Sequence, residues 1–170
     1  MLPAFGGASL KQTKEVAMPR IKTSLEILRT QQETFDYLTD LRNAPEWSTE
    51  VVDVTYDGEL GEGTTGKDVR KMGRKEMVMP WEVTTYDAPR RIVFEYGPPF
   101  PATADFSFEA TARGTLVTCY TDLRPRGWWR LLAPIMAKEA RKADEVQFAK
   151  VKAILESRGN GAPNGEGRMA

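Results

Sequence analysis

The chain has 170 residues, 41% of them hydrophobic, and 24 lysines and arginines against 24 aspartates and glutamates. That length suits a single core, and the balanced charge provides no net basic field to draw in nucleic acid or an anionic membrane. There is no histidine and one cysteine, Cys119. This excludes histidine bases, Ser-His-Asp triads, histidine metal sites, disulfides and thiolate clusters within one chain. No acidic run has the alternating spacing of a calcium loop, so neither metal nor cofactor is expected. No apolar stretch approaches the roughly 20 residues of a bilayer-spanning helix, and residues 1–17 lack the apolar centre of a secretory signal. The cytoplasm is the default location.

Residues 1–18 carry Pro3, Gly6 and Gly7 without periodicity and read as a flexible leader. Over 21–28, Ile21, Leu25 and Ile27 share one parity with Thr23, the two-residue period of a half-buried strand. Thr30 and Glu33 form the Thr-x-x-Glu capping box of a short helix whose buried face is Phe35 and Leu38. Residues 41–47 predict another turn or two of helix, broken near Asn43 and Pro45 because proline disfavours a helical conformation in the residue before it.

The middle of the chain predicts strands and turns. A strand over 51–56 ends at Asp57-Gly58, and 58–66 is a glycine-rich connection. Strands over 65–72 and 75–86 flank Gly73-Arg74, a hairpin connection of the glycine-first type. After the turn Asp87-Ala88-Pro89-Arg90, Ile92, Phe94 and Tyr96 alternate along one strand, and Ala104, Phe106 and Phe108 along the next. Arg113-Gly114 leads into a last strand over 115–123, completing an antiparallel meander. From 129 to 157, Met136, Ala140, Ala143, Gln147, Val151, Ile154 and Leu155 recur at helical spacing as the inward stripe of a long helix. Lys138, Glu139, Arg141, Lys142, Asp144, Glu145, Lys150, Lys152 and Glu156 mostly cover its opposite side. Residues 160–170, rich in glycine and asparagine, predict disorder.

This order of elements resembles the START-like helix-grip superfamily, in particular its polyketide cyclase/dehydrase and lipid-transport branch, the SRPBCC proteins. The resemblance spans about residues 19–158, leaving 1–18 as leader and 159–170 as tail. It is carried by Leu38-Thr39-Asp40-Leu41-Arg42-Asn43-Ala44-Pro45-Glu46-Trp47, the Gly61-x-Gly63 loop, Tyr86-Asp87-Ala88-Pro89-Arg90-Arg91 and Gly114-Thr115. It implies an α+β fold in which a curved antiparallel sheet of about seven strands wraps a long C-terminal helix, with two short helices after the first strand. It also implies a hydrophobic ligand held between sheet and helix.

Strand parity puts Met77, Met79, Trp81 and Val83 on one face, with Ile92, Phe94 and Tyr96, and then Phe106 and Phe108, on the neighbouring strands. The candidate cavity lining is therefore Met77, Met79, Trp81, Phe94, Tyr96, Phe106, Phe108 and, from the helix, Met136. These residue types line roomy apolar pockets and also fill ordinary cores. On the last strand either Leu116, Thr118 and Tyr120 or Val117, Cys119 and Thr121 face inward. Trp47 reads as an anchor for the short helices, and Trp128 and Trp129 as a seal at the barrel end. Arg124, Arg126 and Arg130 read as a solvated cluster.

Acid–base chemistry would have to rest on carboxylates, tyrosines or arginines. Glu26, Glu82, Asp105, Tyr96 and Tyr120 are the polar groups on lining strands, with Glu82 and Asp105 at outward parity. Tyr96 and Tyr120 are thus the candidate catalytic residues. The leading reading is a binder or carrier of a small hydrophobic molecule such as a lipid, isoprenoid, quinone or polyketide. A cyclase, aromatase or dehydratase is the alternative. A protein-interaction module with a collapsed cavity is the third.

Overall fold

The computed structural model describes residues 20–124, 127, 131 and 133–159, without the side chains of Ala133 and Met136. The expected leader, the tail beyond Gly159, Arg126, Trp128, Trp129, Arg130 and the Met136 side chain lie outside the described residues.

The chain runs β1 (Arg20–Ile27), α1 (Gln31–Thr39), a short 3₁₀ turn (Leu41–Asn43), α2 (Ala44–Trp47), then β2 (Val51–Tyr56), β3 (Thr65–Met72) and β4 (Lys75–Asp87). It continues through β5 (Arg91–Tyr96), β6 (Ala102–Ala110) and β7 (Thr115–Leu123) to the 27-residue α3 (Ala133–Gly159). The seven strands form one sheet ordered β1-β7-β6-β5-β4-β3-β2, each neighbouring pair antiparallel. Register shifts at Val51/Asp53 and Val83/Thr85 supply the local bends that curve such a sheet. This is the α+β helix-grip fold, with two short helices after the first strand and the long helix last.

Local chemistry explains the element boundaries. The Thr30 hydroxyl accepts from the Glu33 N–H, and the Glu33 carboxylate accepts from the Thr30 N–H at 3.0 Å, closing the capping box at the start of α1. Pro45 sits in the first turn of α2, where no N–H is required of it. Gly73 adopts φ +64° in the β3–β4 turn, the left-handed conformation that the hairpin demands.

The C-terminal half of α3 is fastened to β1 and the segment after it. Lys152 Nζ donates to the Glu26 carbonyl at 2.6 Å, and Glu156 accepts the Leu28 N–H at 2.9 Å. Arg29 donates to the carbonyls of Leu155 and Glu156 at 2.7 and 2.9 Å, satisfying acceptors near the helix end. Beneath this end Ile27, Phe35, Phe108, Phe148, Val151 and Leu155 are buried, in a cluster that continues through Val83, Ile92, Phe94, Cys119 and Trp81, with Phe106 stacked on Phe148 at 6.4 Å. Phe35 meets the edges of Phe108 and Tyr86 at centroid distances of 5.1 and 5.7 Å.

Pairing also resolves the last strand. Val117, Cys119 and Thr121 lie opposite Phe108, Phe106 and Ala104, so they share the inner face, while Leu116, Thr118 and Tyr120 face out.

Candidate functional site

The inner face of the sheet changes character along the length of α3. Above the aromatic cluster the helix presents Phe148, Val151 and Leu155, all buried. Toward its N-terminal end the described residues on the side turned to the sheet include Ala137, Ala140, Ala143 and Asp144, all partly buried. Alanines span less of the distance between a helix and a sheet than the larger side chains do elsewhere. The strands opposite carry Met79, Trp81 and Phe94, buried, with Met77, Tyr96 and Phe106 partly buried.

Into this apolar wall β3 turns an ion pair. Asp68 is 2% exposed, and its Oδ2 accepts from Nε and Nη2 of Arg70 at 2.9 and 2.8 Å. Its other oxygen, Oδ1, is buried with no hydrogen-bond partner among the described residues, as are the indole N–H groups of Trp47 and Trp81 and the Thr23 hydroxyl. The Arg70 guanidinium lies 5.0 Å from the centroid of the Tyr96 ring. Burial pushes the Tyr96 hydroxyl up to about 12, the Asp68 charge adding to the effect and Arg70 opposing it. Burial likewise raises Asp68 above the ordinary carboxylate range against the pull of Arg70.

From the helix, Asp144 faces the same cluster. Burial first, and the negative charge of Glu50 second, push its carboxyl up to about 6, opposed by Arg70. Burial raises the Cys119 thiol, with Asp144 contributing, so it is held as an unreactive thiol rather than a thiolate. The interior end thus combines a guanidinium, a phenol, a buried carboxylate with an unpartnered acceptor, and a second carboxyl that burial pushes up to about 6. Together they can hold a polar group and move a proton, while the methionines and aromatic rings hold hydrocarbon.

The profile of the family described as polyketide cyclase / dehydrase and lipid transport matches residues 18–156. The chain belongs to that family. Solved structures share its fold at low identity. TTHA0849 of Thermus thermophilus is 16% identical with a TM-score of 0.70, covering 82% of this chain and 99% of its own. NE0264 of Nitrosomonas europaea is 14% identical with a TM-score of 0.69, covering 86% and 99%. The di-domain ARO/CYC StfQ from the steffimycin biosynthetic pathway is 14% identical with a TM-score of 0.63, covering 83% of this chain and 51% of StfQ. No curated protein matches the sequence significantly.

Against this family fold, the residues expected at the site fall into three groups. Met77, Met79, Trp81, Phe94, Tyr96 and Phe106 lie on the inner face at the Asp68–Arg70 end or beside it. Trp81 lies flat across Gly66, where an added Cβ would come within 2.2 Å of its Cζ2, and meets Tyr56 and Phe94 edge-on at 5.5 and 5.7 Å. Phe108 is inward too, but it packs on Phe35 in the closed aromatic end.

The remaining polar candidates are not brought to the site. Tyr120 lies on the outer face beneath Arg20, whose guanidinium carbon is 4.2 Å from its ring centroid. Glu26 is taken up by Thr111 and Arg113, and Asp105 by Arg91 at 2.9 Å, while Glu82 is exposed. An open depression of about 670 Å³ along β2–β5 is lined by Thr55, Lys67, Pro80, Glu82 and Glu95 and also by Tyr56, Gly66, Trp81 and Tyr96 of the inner face.

Sequence pattern misses Asp68, Arg70 and Asp144. For the first two a signal exists: with Met72 opposite Lys75 across the Gly73-Arg74 turn, Arg70 falls opposite Met77 and Asp68 opposite Met79, on the methionine face. Asp144, expected on the solvent side of the helix, instead turns inward, one helical turn after Ala140 and one before Phe148.

Proposed function

We propose that the protein binds a small, mainly apolar molecule carrying one polar group, between the inner face of β3–β7 and the N-terminal half of α3. The lipid, isoprenoid, quinone and polyketide classes all have this character. The observation that carries the reading is Asp68: a carboxylate oxygen buried without a partner, beside Arg70, on a face otherwise made of methionine and aromatic side chains. An unsatisfied buried acceptor costs about 1–3 kcal/mol, a deficit that a ligand hydroxyl or a bound water removes. The low-identity resemblance to an ARO/CYC protein and the family's description support a ligand of this kind.

The test is native mass spectrometry of protein purified from its own source, then extraction after unfolding. A stoichiometric apolar molecule released on unfolding is expected. Protein that arrives empty and takes up no environment-sensitive apolar dye would overturn the reading in favour of a collapsed interior. We place the protein in the cytoplasm, whose reducing conditions suit the unpaired Cys119. Among the described residues no helix is long and apolar enough to cross a membrane.

Asp144 favours a second reading, cyclisation or dehydration of an enolisable ligand. A carboxyl titrating at about 6 is matched to proton transfer near neutral pH, and Arg70 and Tyr96 are donors for a developing enolate oxygen. The Asp144 carboxylate would take the proton from the carbon beside a carbonyl, and the enolate would then attack a second carbonyl, whose oxygen takes that proton back from Asp144, or expel a β-hydroxyl, which leaves as water with the same proton. Turnover of a β-polyketo thioester surrogate that disappears in Asp144→Asn, while the surrogate still binds, is the expected result. Equal turnover in the variant would remove Asp144 from the chemistry.

A further inference from the structure

The chain is neutral as a whole, but its charge is not evenly placed. Residues 124–142 hold six basic residues and one acidic residue, Glu139, whereas the other 151 hold 18 basic and 23 acidic. The protein is therefore electrically polar: a short segment entering and beginning α3 is strongly positive, and the rest is negative by the same amount.

The same segment exposes two large aliphatic side chains. Leu131 is 83% exposed and Ile135 is 62% exposed, the two most exposed large hydrophobics among the described residues. From Ile135 the outward face of α3 continues at three- and four-residue spacing through Lys138, Glu139, Lys142 and Val146, all exposed, Glu139 being the one acid among them. Arg141 is exposed on the same helix. Two aliphatic side chains at the tip, with lysines behind them whose long stems can reach sideways, is the pattern by which a basic amphipathic helix lies on a lipid surface.

We propose that this end of α3 docks the protein on the surface of an anionic phospholipid bilayer, Leu131 and Ile135 entering the acyl boundary and Lys138, Arg141 and Lys142 meeting the headgroups. Charge complementarity selects the occupant. A partner protein's interface core is depleted of lysine, whereas here cations alternate with the apolar positions along one face. An anionic bilayer offers a continuous negative plane over an apolar layer, and it would repel the negative remainder of the molecule, which fixes the orientation. Docked this way, the alanine-lined half of α3 lies at the lipid surface, so a lipid-soluble ligand need not cross bulk water. The docking does not depend on the ligand reading, since it rests on the outer face of the helix.

The test is co-sedimentation of the full chain with vesicles of phosphatidylcholine alone and of phosphatidylcholine mixed with phosphatidylglycerol. Binding to the mixed vesicles should exceed that to neutral ones by at least about tenfold at low salt, each basic residue near the surface adding roughly fivefold. It should fall steeply once salt shortens the Debye length to about 3 Å at 1 M. The variant Leu131→Glu/Ile135→Glu should lose binding, and Lys138→Glu/Lys142→Glu should lose the preference for anionic vesicles. All four positions are exposed, and unchanged circular dichroism would confirm the fold. Absence of vesicle binding, or a double variant that binds as the parent does, overturns the proposal. So does concentration-dependent self-association that the Leu131→Glu/Ile135→Glu variant abolishes without any vesicle binding, which would assign the face to a second copy.

Discussion

One helix covers both ends of the interior, yet the two ends are built for different work. At the C-terminal half of α3 the sheet and helix meet through large apolar side chains: Phe148, Val151 and Leu155 against Ile27, Phe35 and Phe108. Hydrogen bonds donated by Arg29 and Lys152, and one accepted by Glu156 from the Leu28 N–H, hold that contact in register. At the N-terminal half the helix offers Ala137, Ala140, Ala143 and Asp144, and the sheet answers with Asp68, Arg70 and Tyr96. Stability is concentrated where the side chains interlock. Buried polarity is concentrated at the other end, so the fold can keep an unsatisfied carboxylate there because the first end carries the packing.

The largest expected effect lies in the packed end. Phe108→Ala removes a ring that is 2% exposed and edge-packed on Phe35, which should destabilise the protein by about 3–5 kcal/mol. Urea unfolding measures this, with the slope of free energy on denaturant unchanged if the native state keeps its structure. A loss below about 1 kcal/mol would mean that the aromatic cluster is not the stabilising end and that the contrast between the two halves is mistaken.

The next effect separates the ends by pH. Asp144 has a folded pKa of about 6 against an ordinary 3.8, so between those values the folded protein binds more protons than the unfolded chain. Stability from this group is therefore fully present below about 4 and declines as pH rises to about 6. Above that it is lower by at most about 3 kcal/mol, and by less where solvent screens the charge. Asp144→Asn should be more stable than the parent at pH 8 and should lose that advantage near pH 4, as judged by urea midpoints at both pH values. An advantage that does not vary with pH would place Asp144 in solvent and dissolve the polar cluster.

How much of this contrast is legible in the sequence depends on the kind of side chain involved. On β4, Met77, Met79, Trp81 and Val83 alternate with polar neighbours, so parity announces the inner face and the structure agrees. On β3 the run Gly66-Lys67-Asp68-Val69-Arg70-Lys71 has its single large apolar residue, Val69, on the outer side. Hydrophobic alternation therefore points away from the buried pair, and only the hairpin register through Gly73 reveals it. The inward parity of β7 is similarly undecided by its own residues, because both faces carry branched or polar side chains. It is decided by pairing with Phe106 and Phe108. Asp144 sits in a charged helical run where one inward carboxylate looks like any other surface charge. What sequence pattern conveys is hydrophobic burial; a functional polar group buried against that pattern is what it hides.

The smallest change in stability should come with the sharpest test of the comparison. Ala140 sits partly buried on the side of α3 turned toward the sheet, above the end of the interior where Tyr96 and Phe106 are themselves only partly buried. Where space is already filled, adding a ring forces side chains off their rotamers and costs about 1–3 kcal/mol. Where a ligand-sized gap exists, the same ring can occupy it at little expense, gaining apolar burial while excluding the guest. Ala140→Phe should therefore change stability by less than about 1 kcal/mol yet lower uptake of an apolar dye at least about tenfold. At the packed end, enlarging Val151 to Phe should do the reverse, with clear destabilisation and little change in dye uptake, because Val151 is 1% exposed within the closed cluster. If both enlargements destabilise alike, the N-terminal half is as tightly filled as the rest, and the unpartnered acceptor on Asp68 must be satisfied by water. If neither does, the helix shifts as a unit over the sheet, and the two ends are not mechanically distinct.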